Sequence, residues 1–185
     1  IYNAATTTTP VTITVGPASS TIVVTGSNTF TYLGSAQGPS SSTVTGSTGL
    51  VTYSYSGSGS TSYGSSTTKP TNVGSYTTTA SVAASGNYAT ASSAAYAFNI
   101  SQAAQVTSPV ITSTVGTLGA NLTLTTSGGS GGGTNSFTVD SGPCTVLGST
   151  LSATAAGTCM VTATKAANGN YLASSSLSTE ITIDK

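Results

Sequence analysis

The chain has 185 residues, of which only 3% are charged, and it carries three Lys, three acids and no His, where an average domain is about 25% charged. So few cations exclude nucleic-acid binding by phosphate neutralisation and steering to acidic membranes, both of which need clustered Lys and Arg. Without His the usual Ser–His–Asp and Cys–His machinery cannot be assembled, and the three acids, all after residue 139, leave little for acid–base work or a calcium cage. The chain therefore reads as non-enzymatic, with no cofactor and no metal.

Serine and threonine account for 72 residues, so solubility rests on hydroxyls and backbone. Val, Ile, Leu, Tyr and Phe recur at strand spacing, which sets the chain apart from a disordered Ser/Thr-rich tract. No run of 18 apolar residues is present, so membrane insertion is not expected. The chain opens at Ile1 without Met or signal peptide and reads as a processed or excerpted piece of a longer exported protein. Sandwich domains run to about 100 residues. The expected fold is all-β, with two tandem immunoglobulin-like β-sandwich domains.

In chain order, residues 1–16 stand apart. Val11, Ile13 and Val15 alternate with Thr12 and Thr14 behind Tyr2-Asn3-Ala4-Ala5, with Ile13 set against Ile183. This segment reads as the last strand of a preceding repeat, or as a strand donated to a neighbouring subunit. The first domain, 17–104, predicts strands at 21–25, 29–33, 42–45, 50–56, 76–82 and 96–100, with turns at Gly46–Gly49 and Gly57–Gly59. The second, 105–185, predicts strands at 109–114, 120–126, 135–140, 144–147, 150–155, 159–164 and 179–183. Gly128–Gly133 is a turn and not a phosphate loop, because no Lys-Ser/Thr pair follows it. Residues 73–102 align without a gap on residues 156–185, an offset of 83 that matches Gly86-Asn87-Tyr88 to Gly169-Asn170-Tyr171. A repeat of this length is a whole domain.

Phe30-Thr31-Tyr32, Val51-Thr52-Tyr53-Ser54-Tyr55-Ser56-Gly57, Tyr63-Gly64, Lys69-Pro70-Thr71-Asn72-Val73-Gly74-Ser75-Tyr76, Gly86-Asn87-Tyr88 and Phe98-Asn99-Ile100 follow one another in the first domain. In this order they resemble the MBG family of bacterial immunoglobulin-like surface repeats. Residues 106–185 look like a related bacterial repeat, on Gly142-Pro143-Cys144, Ala156-Gly157-Thr158-Cys159 and Gly169-Asn170-Tyr171. The resemblance implies a spacer or adhesive role in tandem arrays and supplies no active site. Ser101-Gln102-Ala103 stands where many relatives carry a Lys.

Several side chains invite a sharper reading. Cys144 and Cys159 are separated by strand, turn and strand, so a disulfide can form across the sandwich or along its edge; Tyr76 holds the matching place in the first domain. Asn72 to Tyr76 has the pattern of a tyrosine corner, whose hydroxyl bonds a nearby backbone group. Tyr88 and Tyr171 are expected to fold back and plug the ends of their own cores. Tyr53, Tyr55 and Tyr63 form a candidate aromatic platform for a glycan, against which stands core or cross-strand packing of Tyr53 and Tyr55. Lys165 has the strand parity of Cys159, Val161 and Ala163. It is a candidate for an isopeptide bond to Asn170, Asn121 or Asn135 promoted by Glu180, against which stands a strand-end Lys whose amine reaches water. The Thr runs fit the wet face of twisted strands better than a flat ice-binding array. The expected function is a structural or adhesive module of an extracellular bacterial surface stalk, filament or adhesin. Its expected partners are neighbouring repeats or subunits of the same protein; the alternative is a module that binds carbohydrate or another surface.

Overall fold

A computed structural model describes residue 2 and residues 9–185. The Asn3-Ala4-Ala5 part of the opening segment lies outside the described residues. Among the described residues there are seventeen strands and no helix. Alternation of apolar residues with Ser and Thr dictates this: β-branched side chains suit a pleated surface, and period two turns one set inward.

In the first sandwich, β1 (Thr21–Thr25) pairs antiparallel with β3 (Ser41–Thr45). The other sheet runs β2 (Thr29–Thr31), β7 (Tyr96–Ser101), β5 (Gly74–Val82), β4 (Val51–Gly57), with β6 (Ala91–Ser92) on the end of β5. In the second sandwich the long sheet runs β9 (Val115–Thr117), β17 (Thr179–Asp184), β15 (Gly157–Lys165), β12 (Asn135–Ser141), with β16 (Ser174–Ser175) on β15. The remaining strands are β8 (Val110–Ile111) with β11 (Thr126–Ser127), and β10 (Leu122–Thr123), β14 (Thr150–Ala153), β13 (Cys144–Leu147). In each long sheet the last strand lies between the longest strand and a short parallel strand, β2 beside β7 and β9 beside β17. The fold is all-β, with two β-sandwiches in tandem.

The register reproduces the repeat. Tyr76 faces Phe98 across β5 and β7, and Cys159 faces Ile181 across β15 and β17, so the offset of 83 holds for both partners. Strand 109–114 is cut short at β8, because the chain crosses there to the other sheet to form β9 beside β17. Stretch 120–126 divides between β10 and β11, which pair with β14 and β8. At the first crossing the inward parity shifts, from Ile111 on β8 to Gly116 on β9, leaving Val115 exposed; at the second it is kept, with Leu122, Leu124 and Thr126 all turned inward, so alternation alone carries no mark of it.

Each small core is closed differently. In the first sandwich Ile22 and Val24 of β1 pack on Ala80 and Val82 of β5. Beyond β1 and β3 the second layer gives way to loops, and an aromatic cluster fills the space. The Phe98 ring stacks on Tyr76 at 5.4 Å and meets Tyr55 and Phe30 edge-on at 6.2 and 5.9 Å, arrangements each worth about 0.5–1.5 kcal/mol beyond burial. Gly38, at φ +149°, lets its loop lie on this cluster, since a Cβ there would press on Phe98 and Tyr55 at 3.1–3.2 Å. The Tyr76 hydroxyl donates to Asn72 O at 2.7 Å, which is the tyrosine corner. In the second sandwich the β13–β14 hairpin supplies the layer, and the Cys144–Cys159 disulfide joins it to β15. The bridge therefore runs across the sandwich and is buried among Leu151, Val161 and Ile181. The neighbouring Gly142 has φ +102°, and a Cβ there would collide with the Thr158 carbonyl.

Two outcomes follow. Opening the bridge with Cys144→Ser and Cys159→Ser should cost the second sandwich about 3 kcal/mol, the chain-entropy value for a 15-residue loop, and leave the first unchanged. Urea unfolding followed through amide signals of each sandwich measures both. Burial pushes the Tyr55 and Tyr76 phenols above their ordinary 10.0, with the charges of Tyr53 and Tyr63 adding to it and the Thr78 hydroxyl opposing it at Tyr55. The folded state then holds these protons longer than the unfolded chain. Stability is full below about pH 10 and falls as pH rises beyond it. Unfolding free energies measured across pH 10 should show this decline in the first sandwich, with a shallower slope in Tyr55→Phe.

Candidate functional site

The most elaborate polar construction in the molecule lies where the two sandwiches meet. It starts from the Asn168-Gly169-Asn170-Tyr171 turn between β15 and β16. The Asn168 side chain accepts from the backbone N–H groups of Asn170 and Tyr171 at 3.3 and 3.1 Å, and its backbone exchanges hydrogen bonds with Tyr171 at 3.0 and 3.3 Å. An Asn that caps its own turn in this way fixes the loop locally, which leaves Asn170 and Tyr171 aimed outward.

What they meet belongs to the first sandwich and the linker. Val73 N donates to Asn170 Oδ1 at 3.0 Å, and Asn170 Nδ2 donates to Asn72 Oδ1 at 3.2 Å. The Tyr171 ring stands edge-on to Tyr32, centroids 5.3 Å apart. The linker leaves β7 at Ser101, and Gln102 Nε2 donates to Asn168 O at 2.6 Å and to Tyr171 O at 3.3 Å. Ala103 N donates to Asn170 O at 3.0 Å, and Leu172 N donates to Ala103 O at 2.8 Å. Gln105 then donates to Leu172 O at 2.9 Å and accepts from Ser130 N and Gly131 N at 2.6 and 2.9 Å. Both ends of the Gln105 amide are used, which orients the linker without ambiguity.

This corrects one expectation. Tyr171 does not plug its own core; it packs on Tyr32 of the other sandwich, whereas the Tyr88 ring folds back over Gly46 of its own sandwich and remains 41% exposed. The repeated Gly-Asn-Tyr was visible in the sequence. Its partners Tyr32, Asn72 and Val73 lie about 100 or more residues away along the chain, and no local pattern links them.

The aromatic platform is not formed. Tyr55 is 2% exposed and donates to Pro39 O at 2.8 Å. Tyr53 is partly buried against the core, with its hydroxyl 2.9 Å from Ser42 Oγ. Their strand parity turns both inward. Tyr63 alone borders a polar cleft, beside Lys69 and Asn72, and it is pinned by donation to Thr68 O at 2.7 Å. The isopeptide constellation is not formed either. Lys165 pairs in register with Asn135 and Ser174, whereas Glu180 pairs with Met160. Five residues along a strand separate the two by about 16 Å, and Glu180 has the outward parity. Asn170 is engaged in the joint, while Asn121 and Asn135 bond Ser152 and Thr126. Asp140 accepts from Ser178 and Thr162, which hold its carboxyl below the ordinary range. No group of three or more His, Cys, Asp or Glu able to hold a metal occurs among the described residues.

No protein-family model, curated protein or solved structure matches the chain.

The joint is a hydrogen-bonded and aromatic contact between the two sandwiches. Several backbone and amide hydrogen bonds at about 1 kcal/mol each, together with one aromatic contact, hold two bodies in a single orientation. Asn170→Ala combined with Tyr171→Ser, which leaves the linker bonds of Gln102, Ala103 and Gln105 in place, should widen the range of orientations while changing the unfolding midpoint of each sandwich little, because neither residue belongs to a core. Small-angle scattering should register a broader range of end-to-end lengths in the variant than in the wild type.

Proposed function

We propose that the chain is a non-catalytic structural module of an extracellular bacterial surface stalk, filament or adhesin, in which tandem sandwiches act as a stiff spacer. The observation that carries this reading is the joint: Asn170 and Tyr171 grip Tyr32, Asn72 and Val73 while the linker is hydrogen-bonded along its length. A linker tied down over residues 102–106 does not behave as a flexible tether, and relative motion is the default only where the contact is weak.

Three further features support it. A buried disulfide suits an oxidising compartment. Few Lys and no Arg offer few cleavage sites to trypsin-like proteases. The resemblance to MBG-type repeats points to tandem arrays on bacterial surfaces. A glycan-binding role loses its main support, because Tyr55 is buried in the core and Tyr53 is partly buried against it.

Immunogold electron microscopy of cells that produce the protein tests the proposal. Label along surface fibres or stalks is the expected result. Label confined to the cell interior contradicts it.

A further inference from the structure

The linker half of the joint occurs twice. At the far end of the first sandwich, Ala18 N donates to Asn87 O at 2.8 Å and Ala89 N donates to Ala18 O at 2.8 Å. Ala103 makes the same two bonds to Asn170 and Leu172. Both alanines form an isolated parallel bridge to the loop tyrosine, Ala18 to Tyr88 and Ala103 to Tyr171. Ala18 thus stands where the incoming linker stands at the observed joint.

That equivalence fixes a register for the residues before it. Counting back from Ala18 as from Ala103, Val11–Gly16 take the places of Tyr96–Ser101, so Ile13 falls at Phe98 and Val15 at Ile100. In the second sandwich the same places hold Ile181 and Ile183. Ile13 therefore matches Ile181, two residues earlier than the Ile183 suggested by sequence alone. Phe98, Ile100, Ile181 and Ile183 are buried in their sandwiches, whereas Ile13 and Val15 are 83% and 88% exposed. The docking groups are open as well. Asn87 and Tyr88 are exposed where Asn170 and Tyr171 are engaged, and a cleft lined by Val15, Gly16, Pro17, Ala18, Gly86 and Asn87 lies beside them.

We propose that Val11–Gly16 form the last strand of a further sandwich of this build, and that this sandwich docks on Asn87 and Tyr88 as the first sandwich docks on Asn170 and Tyr171. The occupant is a sandwich open between its longest strand and its short parallel strand, the slot that β7 and β17 fill in this chain. It presents an apolar ring or side chain at the place of Tyr32, to meet Tyr88, and a backbone N–H at the place of Val73, to meet Asn87. A second intact copy of this chain does not fit, because both its slots are already filled. Ile13 and Val15 enter the core of the occupant, while Thr12 and Thr14 face water as Ala97 and Asn99 do.

The inference rests on the tandem-spacer reading and adds its next joint. The test joins residues 17–95, a first sandwich without β7, to residue 11 of the chain. Residues 11–16 must then serve as the missing strand. A reference fusion carries residues 96–101 in place of 11–16 and shows the added unit folded with its own strand. Amide hydrogen exchange at 11–16 should be slowed as strongly as at 98–100 in the same molecule, and Tyr88→Ser should loosen the new joint without unfolding either neighbour. Unprotected amides at 11–16 beside a protected reference fusion would overturn the strand assignment. An unchanged joint in Tyr88→Ser would overturn the docking assignment. Neither failure touches the extracellular location, which the immunogold experiment decides separately.

Discussion

The last strand of a sandwich decides where the next sandwich stands. β7 lies in the interior of its sheet, between β2 and β5, and its register is fixed by Phe98 and Ile100 in the core. Two residues after β7 ends, the backbone of Ala103 is bonded to the loop of the second sandwich. A slip of one residue in β7 would turn Phe98 outward and displace Ala103 from the joint in the same step. Core packing and the setting of the two bodies are thus coupled through one short stretch of chain. Side-chain amides of Gln102 and Gln105 tie this stretch to the second sandwich, and the Asn170 amide ties the second sandwich to the first, all without using charge.

The two sandwiches close the same end of their cores by different chemistry. At the place where β5 carries Tyr76, β15 carries Cys159. In the first sandwich four interlocked rings and a tyrosine corner make up for a second layer of only two strands. In the second a hairpin supplies the layer, and a disulfide ties it down. Domains of this size bury a modest fraction of their surface and need such reinforcement. The aromatic solution is also the one that faces the joint, since Tyr32 and Val73 pack against this cluster and are the groups that Tyr171 and Asn170 reach.

Much of the fold was legible in the sequence. β1 and β13 fall where the sequence places them, because each is a short β-branched or apolar run between turns, although Val23 and Leu147 break the apolar–polar alternation and lie exposed. The repeat at offset 83 carried the pairing of β5 with β7 onto β15 with β17. What the pattern concealed was where the chain changes sheets: at Leu124–Thr125 the inward parity is kept through the crossing, and at Thr112–Thr114 it shifts across a run of Thr and Ser that has no apolar residue to mark the change. The disulfide was legible from strand–turn–strand spacing, which left open whether it crossed the sandwich. The site was half legible. A repeated Gly-Asn-Tyr marks an important loop, but a Tyr that packs on its own core and a Tyr that packs on a neighbour have the same local sequence. Tyr53 and Tyr55 misled as a platform for a related reason: Tyr suits a wet surface and a buried site with a hydroxyl partner alike.

A surface with three cations and three acids has little charge to set distance or orientation between its parts, so the geometry of the joint must do so. Residual dipolar couplings of the weakly aligned wild-type chain test this most directly. One alignment tensor fitting the amides of both sandwiches is the predicted result. Two tensors of different magnitude, one for each sandwich, would show bodies that tumble independently and would contradict the account.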